Sequence, residues 1–219
     1  INEELLNQLF RNFSTEYEID GLVIDVDPAE ERVSLGIETN GNPAYSKAIK
    51  LESWRQIKES SVVSVELNVS KQGLIKPVIV IEPIYLSGVT IKRITGYNYR
   101  YICENYIHPG ALISITRSGE VIPKHLSTVN FNKKILKDFI ESKYLRCPSC
   151  NSLLEIEEVE AVCKNTNCKG RLISALVSFF NTIGIEEMGE PTIKKFIDAD
   201  FDSAVKILSM TIQDIAIID

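Results

Sequence analysis

The chain has 219 residues, room for one large domain or two to four small ones, and its 44% hydrophobic and 25% charged content is that of ordinary folded protein. No apolar run approaches the roughly 20 residues that cross a bilayer. The opening "INEELLNQLF" has neither the basic flank nor the apolar stretch of a signal peptide, so neither a membrane nor a secreted protein is expected. The chain starts on Ile rather than Met, which reads as a processed chain or a fragment. The net charge of −6 hides an asymmetry. Residues 1–70 balance to −7, residues 71–146 to +7 and residues 147–219 to −6. A basic segment between two acidic ones is consistent with a polyanion-facing surface, or with a merely solvated face.

"NEELLNQLFRNF" places Leu5, Leu6, Leu9, Phe10 and Phe13 at helical spacing, with Glu3 and Glu4 where a helix dipole favours them. "GLVIDVD" reads as a strand and "AEERVSLGIETNGNP" as the turn out of it, with a short helical or bridging piece at residues 34–36. "AYSKAIKLE" reads as a second short strand. Trp54 suits core or interdomain packing. From Ser60 to Val129 five or six short strands rich in β-branched residues predict a small, closed or partly open barrel, with Pro77 and Pro83 at strand ends. "GALISITRSGEVIP" reads as two strands joined across "RSGE". "YNYRYICENYI" fits a helix or an irregular arm, and its Tyr97, Tyr99 and Tyr101 suit either sugar and base packing or an apolar contact with the barrel. "NKKILKDFIESKYLR" has the spacing of a helical connector. After Arg171 the pattern is helical, with a stop at Gly184 and further helices in "EPTIKKFIDA" and "FDSAVKILSM".

Five cysteines, four of them late in the chain, make a poor disulfide framework and a good metal site in a reducing compartment, the cytoplasm. Cys147 and Cys150 form "CPSC", and Cys163 and Cys168 follow after a stretch of hairpin length. Paired thiolates at such spacing converge on one tetrahedral Zn²⁺ as in a four-Cys zinc ribbon; four thiolates leave no open position, so the metal would be structural. Cys103 stands apart and reads as a small buried side chain. "IGIEEMGEPTIKKF" has a Gly turn before a helix with Pro191 near its start, which resembles a helix–hairpin–helix, although Glu186, Glu187 and Glu190 argue against tight phosphate binding there.

The order of these parts resembles the NAD⁺-dependent DNA ligases along essentially the whole chain. "DGLVI" is similar to the family's DGVVIK strand, and "NPAYSKAIKLE" puts Lys50 at the family's nucleotide-contacting lysine. The stretch from "ELNVSKQGLIKP" to "ITGYN" looks like the family's barrel segment, and "ITRSGEVIP" is similar to its RRAGDVIP. The zinc cysteines and "EEMGEPT" follow in the same order. The resemblance implies an α+β multi-domain chain. Residues 1–58 would end an adenylation (nucleotidyltransferase) domain, 59–135 form an OB-fold, 144–170 a zinc finger and 171–219 a truncated helix–hairpin–helix region.

It also implies the chemistry. A lysine takes AMP from NAD⁺, AMP passes to the 5′-phosphate of a nick, and the 3′-hydroxyl displaces it, with Mg²⁺ neutralising phosphate charge. Lys50 and Asp20 are then the catalytic candidates, Lys50 also the nucleotide contact, and Asp20 equally a shaper of its strand. Lys71, Arg117 and Lys124 are candidate DNA contacts, with Lys92, Arg93 and Arg100 behind them. The implied partners are nicked double-stranded DNA and a second chain or N-terminal region, in replication and repair within a bacterial or virus-infected cell.

Three departures qualify this. The family's nucleophilic lysine lies in Lys-x-Asp-Gly; here Asp20-Gly21 follows Glu18-Ile19, so no residue matches it and the nucleophile must come from elsewhere. Asp25 stands where the family's DGVVIK strand has a catalytic lysine, an anion for a cation beside phosphates; Lys47 or a partner could supply the charge. Lys71 replaces a phosphate-contacting arginine, and Glu187 a hairpin glycine. The competing expectation is a zinc-ribbon and barrel module that binds DNA without chemistry.

Overall fold

The computed structural model describes residues 2–17, 19–86, 88–118 and 122–218, so Gly119, Glu120 and Val121 of the "SGEVIP" motif lie outside the described residues. Helix α1 (Glu3–Ser14) is capped by Asn2, whose side-chain oxygen accepts from the Leu5 N–H at 2.9 Å. It buries Leu6 and stacks Phe10 flat on Trp54, ring centroids 4.2 Å apart. Trp54 also donates its indole N–H to Asn7 at 2.7 Å, so the tryptophan fixes α1 to the linker ahead of the barrel. Strand β1 (Leu22–Asp25) pairs antiparallel with β2 (Ser46–Ile49), and helix α2 (Ala29–Leu35) lies in the connection between them.

The next five strands are β3 (Ile57–Val69), β4 (Ile75–Leu86), β5 (Val89–Thr95), β6 (Leu112–Ser118) and β7 (Ile122–Asn130), in the sheet order β5-β4-β3-β6-β7. The long β3 is shared: its first part pairs with β6 and its second with β4. This lets one antiparallel sheet curl until β5 approaches β7 at the seam. Along β4, Ile75, Ile79 and Ile81 point inward with alternate residues outward, the period a half-buried strand requires. Ile94, Ile102, Ile113 and Ile115 complete the core, and helix α3 (Tyr99–Glu104) plugs the barrel between β5 and β6.

Two expectations need correction. Pro77 and Pro83 lie inside β4 rather than at strand ends. Pro77 sits one residue beyond the β5 ladder, which begins at Val78, and Pro83 falls in the register break between Val80 and Ile84, so neither withholds an N–H from β5. Cys103 is half-buried rather than buried.

Helix α4 (Lys133–Lys143) leads to the hairpin β8 (Leu154–Glu157) and β9 (Glu160–Cys163), and then to α5 (Lys169–Thr182), α6 (Glu190–Asp198), α7 (Ala204–Leu208) and α8 (Ile212–Ile217). Leu176, Phe180, Ile193 and Ile207 form a second small core among the last helices. The β8–β9 hairpin is fastened to the barrel. The Cys163 N–H donates to the Gly73 carbonyl at 2.8 Å, and Arg100 on α3 donates its backbone N–H to Val159 at 3.0 Å. Gly73 has φ 88°, and a Cβ there would lie 2.4 Å from the Cys163 carbonyl oxygen, so only glycine fits this turn. Among the described residues no helix is long and apolar enough to cross a membrane.

Candidate functional site

The four late cysteines converge. Their sulfurs all lie within 4.8 Å of one another, with Cys147 and Cys168 3.8 Å apart and Cys150 and Cys163 3.5 Å apart. These spacings are far too long for disulfides at about 2.05 Å and match the roughly 3.8 Å edge of a tetrahedron with Zn–S bonds of about 2.3 Å. Cys147, Cys163 and Cys168 are buried and Cys150 is half-buried. Burial pushes the Cys163 thiol up to about 12 and raises Cys147. At Cys150 burial acts the same way, but hydrogen bonds from the Ser152 hydroxyl and backbone and from Asn165 outweigh it and bring the thiol down to about 6. The donor set therefore fits a four-thiolate cation site, with Ser152 and Asn165 as hydrogen-bonding neighbours that cysteine spacing does not reveal.

The β1–β2 hairpin carries the candidate chemistry. Lys50 forms an ion pair with Asp20 across the strand ends, both side chains partly exposed. Gly21 makes this approach possible: a Cβ there would meet the Ile49 carbonyl oxygen at 2.7 Å and the Lys50 Cγ at 2.8 Å. The Asp-Gly pair thus has two parts, an anion that holds the lysine and a bare backbone over which the lysine passes. Asp25 accepts a 2.6 Å hydrogen bond from the Ser46 hydroxyl directly across the ladder. Lys47 pairs with Ile24, one step away, and the pleat turns it to the opposite face from Asp25. The hairpin therefore does not itself bring the Lys47 ammonium beside Asp25.

The basic candidates on the barrel differ in exposure. Lys92 on β5 and Lys124 on β7 are exposed on the strands that meet at the seam, and Arg117 is half-buried on β6. Arg93 is paired with Glu66, and Arg100 donates to the Glu158 carbonyl at 2.7 Å. Lys71, in the turn between β3 and β4, donates to Ser178 on α5 at 2.9 Å. The tyrosines divide as well. Tyr101 hydrogen-bonds to His125 at 2.8 Å and Tyr99 meets Tyr144 edge-on at 4.9 Å, while Tyr97 stays exposed with φ 57°. Burial lifts the Tyr99 hydroxyl to about 12 and holds His125 below its usual value. In "EEMGEPT" Glu187 has φ 62°, a left-handed conformation that costs a residue with a Cβ about 1 kcal/mol. Gly184, just before it, has φ 74°. Pro191 lies in the first turn of α6.

Residues 59–134, β3 to the start of α4, match the NAD-dependent DNA ligase OB-fold domain family, so the chain carries the OB-fold of that class of enzyme. The chain as a whole is related to proteins named DNA ligase. It is 35% identical to one from Clostridium perfringens over 76% of this chain and 25% of the relative. It is 34% identical to one from Thermosipho africanus over 84% of this chain and 28% of the relative. A DNA ligase from Syntrophomonas wolfei is 29% identical over 84% of this chain. The chain spans less than a third of the length of these relatives; for the last it covers 28%.

Proposed function

We propose that this chain is the C-terminal portion or subunit of an NAD⁺-dependent DNA ligase, binding nicked duplex DNA and assisting phosphodiester bond formation. Residues 1–58 are read as the end of the adenylation domain, 59–135 as the OB-fold, 144–170 as the zinc finger and 171–219 as the start of a helix–hairpin–helix region. The observation that carries the reading is the match of residues 59–134 to the ligase OB-fold, with a four-thiolate cluster fastened to it. Zn²⁺ held by Cys147, Cys150, Cys163 and Cys168 would cross-link the hairpin to α5.

In the assembled enzyme NAD⁺ supplies the adenylyl group and Mg²⁺ neutralises phosphate charge. This chain's own part is electrostatic. Lys50, at the end of β2, offers an ammonium to a nucleotide phosphate, and Asp20 keeps it aimed until the phosphate takes its place. Lys92, Lys124 and Arg117 offer cations to the DNA backbone, and Lys71 does so from the β3–β4 turn. The nucleophilic lysine belongs to a second chain or an N-terminal region with a Lys-x-Asp-Gly motif, because no residue here occupies that position. The reading places the protein in the cytoplasm of a bacterial or virus-infected cell, in replication or repair.

The second reading, a DNA-binding module without chemistry, draws on Asp25, which is engaged by Ser46 where the family has a lysine. Both readings predict that the zinc-loaded chain binds a 5′-phosphorylated nicked duplex. Log affinity should fall linearly with log salt, at about 0.9 per phosphate contacted. Absent or salt-insensitive binding would remove both.

A further inference from the structure

Lys71 and Ser178 are 107 residues apart in sequence and in direct contact in the fold. The contact is built from both sides. On the barrel side, the turn after β3 is closed by Ser70, whose hydroxyl accepts from the Leu74 N–H at 3.0 Å. The same turn is pressed against Cys163 through Gly73. On the helix side, Cys168 is the N-cap of α5, and Gly170 lets that helix approach the barrel, since a Cβ there would lie 2.9 Å from the Ser149 side chain and 3.2 Å from Val69. One turn on, Ser174 donates to the Val69 carbonyl at 2.5 Å. The next turn presents Ser178.

The Ser178 oxygen accepts from the Lys71 ammonium, which leaves the hydroxyl proton and the remaining ammonium protons as donors. Ser178 also lines a groove of about 470 Å³ together with Ile173, Ser174, Val177, Asn181, Thr182 and Glu190. Successive turns of one helix face, about 5.4 Å apart, supply its hydroxyl and amide groups. The acid in the groove, Glu190, is paired with Lys194 at 2.7 Å, so the groove beside Ser178 holds no bare carboxylate from that residue. A neutral hydroxyl beside an ammonium is a donor pair suited to a phosphodiester oxygen.

We propose that Lys71 and Ser178 form a single phosphate seat spanning the OB barrel and helix α5, with Ser178 as the residue that positions the lysine. The cysteine cluster holds the two halves in register, because Cys163 touches the turn that carries Lys71 and Cys168 begins the helix that carries Ser178. The seat rests on the reading that this chain binds DNA.

The test is nicked-duplex binding by the zinc-loaded chain across a salt series, with Lys71→Met, Ser178→Ala, the double variant and Ser178→Thr. Ser178→Ala should weaken binding about fivefold, the effect of one hydrogen bond of ~1 kcal/mol. Lys71→Met should weaken it further and lower the salt slope by about one. In the Lys71→Met background Ser178→Ala should cost nothing more, and Ser178→Thr should restore wild-type binding. Wild-type chain that binds while Ser178→Ala binds equally well, or a Ser178→Ala penalty undiminished without Lys71, would overturn the seat alone. A wild-type chain that binds no duplex at any salt would overturn the DNA reading and the seat with it.

Discussion

Residues 2–58 and the body that follows are made of similar elements and buried very differently. In the first region Leu6 is the one described side chain less than a tenth exposed, while Val23 is 69% exposed, Ile37 73% and Val33 84%. The barrel and the cysteine hairpin instead share one continuous set of buried side chains and backbone contacts, and α5 is tied to the barrel by the Ser174 hydroxyl's bond to the Val69 carbonyl. A two-stranded hairpin is marginal on its own in water. The N-terminal region therefore draws little stability from its own burial, although it holds Lys50 and Asp20, and the body carries the fold. The proposed chemistry and the stability thus fall to different parts of the chain.

The largest expected effect lies in the body, at the metal. Structural zinc contributes folding free energy directly, so chelation or Cys163→Ser should lower the main thermal transition by about 10 °C, a loss of ~3–5 kcal/mol for a chain of this size. A transition that does not move would refute zinc as the link between barrel and helices. The contrast between the regions is next. Ile79→Ala, in a fully buried position, should cost about 3–4 kcal/mol by denaturant unfolding. Val23→Ala should cost no more than ~0.5 kcal/mol. Equal costs would erase the distinction.

A smaller effect separates the barrel by pH. Burial, partly offset by a hydrogen bond that the His125 ring donates to the Ser127 backbone, lowers the pKa of His125. The folded state therefore binds fewer protons than the unfolded chain, and this contribution is present above the unfolded value of about 6.5 and lost as pH falls through the lowered one. The unfolding midpoint should drop between about pH 7 and pH 5, and His125→Gln should flatten that drop. A His125→Gln profile that falls as steeply as wild type would show that other groups set it.

Much of this organisation was legible in the sequence because it is local. The spacing of Leu5, Leu6, Leu9 and Phe10 predicts α1, the β-branched density predicts the barrel, and the paired cysteines predict the cluster. What depends on long-range pairing was not legible. Pro77 and Pro83 stay inside a strand because of where β5 begins and breaks its ladder. Lys71 and Arg93 read as candidate DNA contacts, but their protein partners, Ser178 and Glu66, lie far along the chain. No periodicity marks these partners. The role of Gly21 became clear only when the Lys50 side chain was seen to pass over it.

The most direct test of the account is sealing by an assembled enzyme. The zinc-loaded chain would be combined with a polypeptide carrying the family's Lys-x-Asp-Gly part, NAD⁺, Mg²⁺ and a nicked duplex. The account predicts sealed product, and predicts that Lys50→Ala lowers sealing by about 10²-fold or more, the scale of losing one electrostatic stabiliser of the transition state. Duplex binding should change by less than about threefold, since the proposed function assigns Lys50 to the nucleotide rather than to phosphates of the duplex. Sealing undiminished in Lys50→Ala would contradict the assignment of the β1–β2 hairpin to the chemistry.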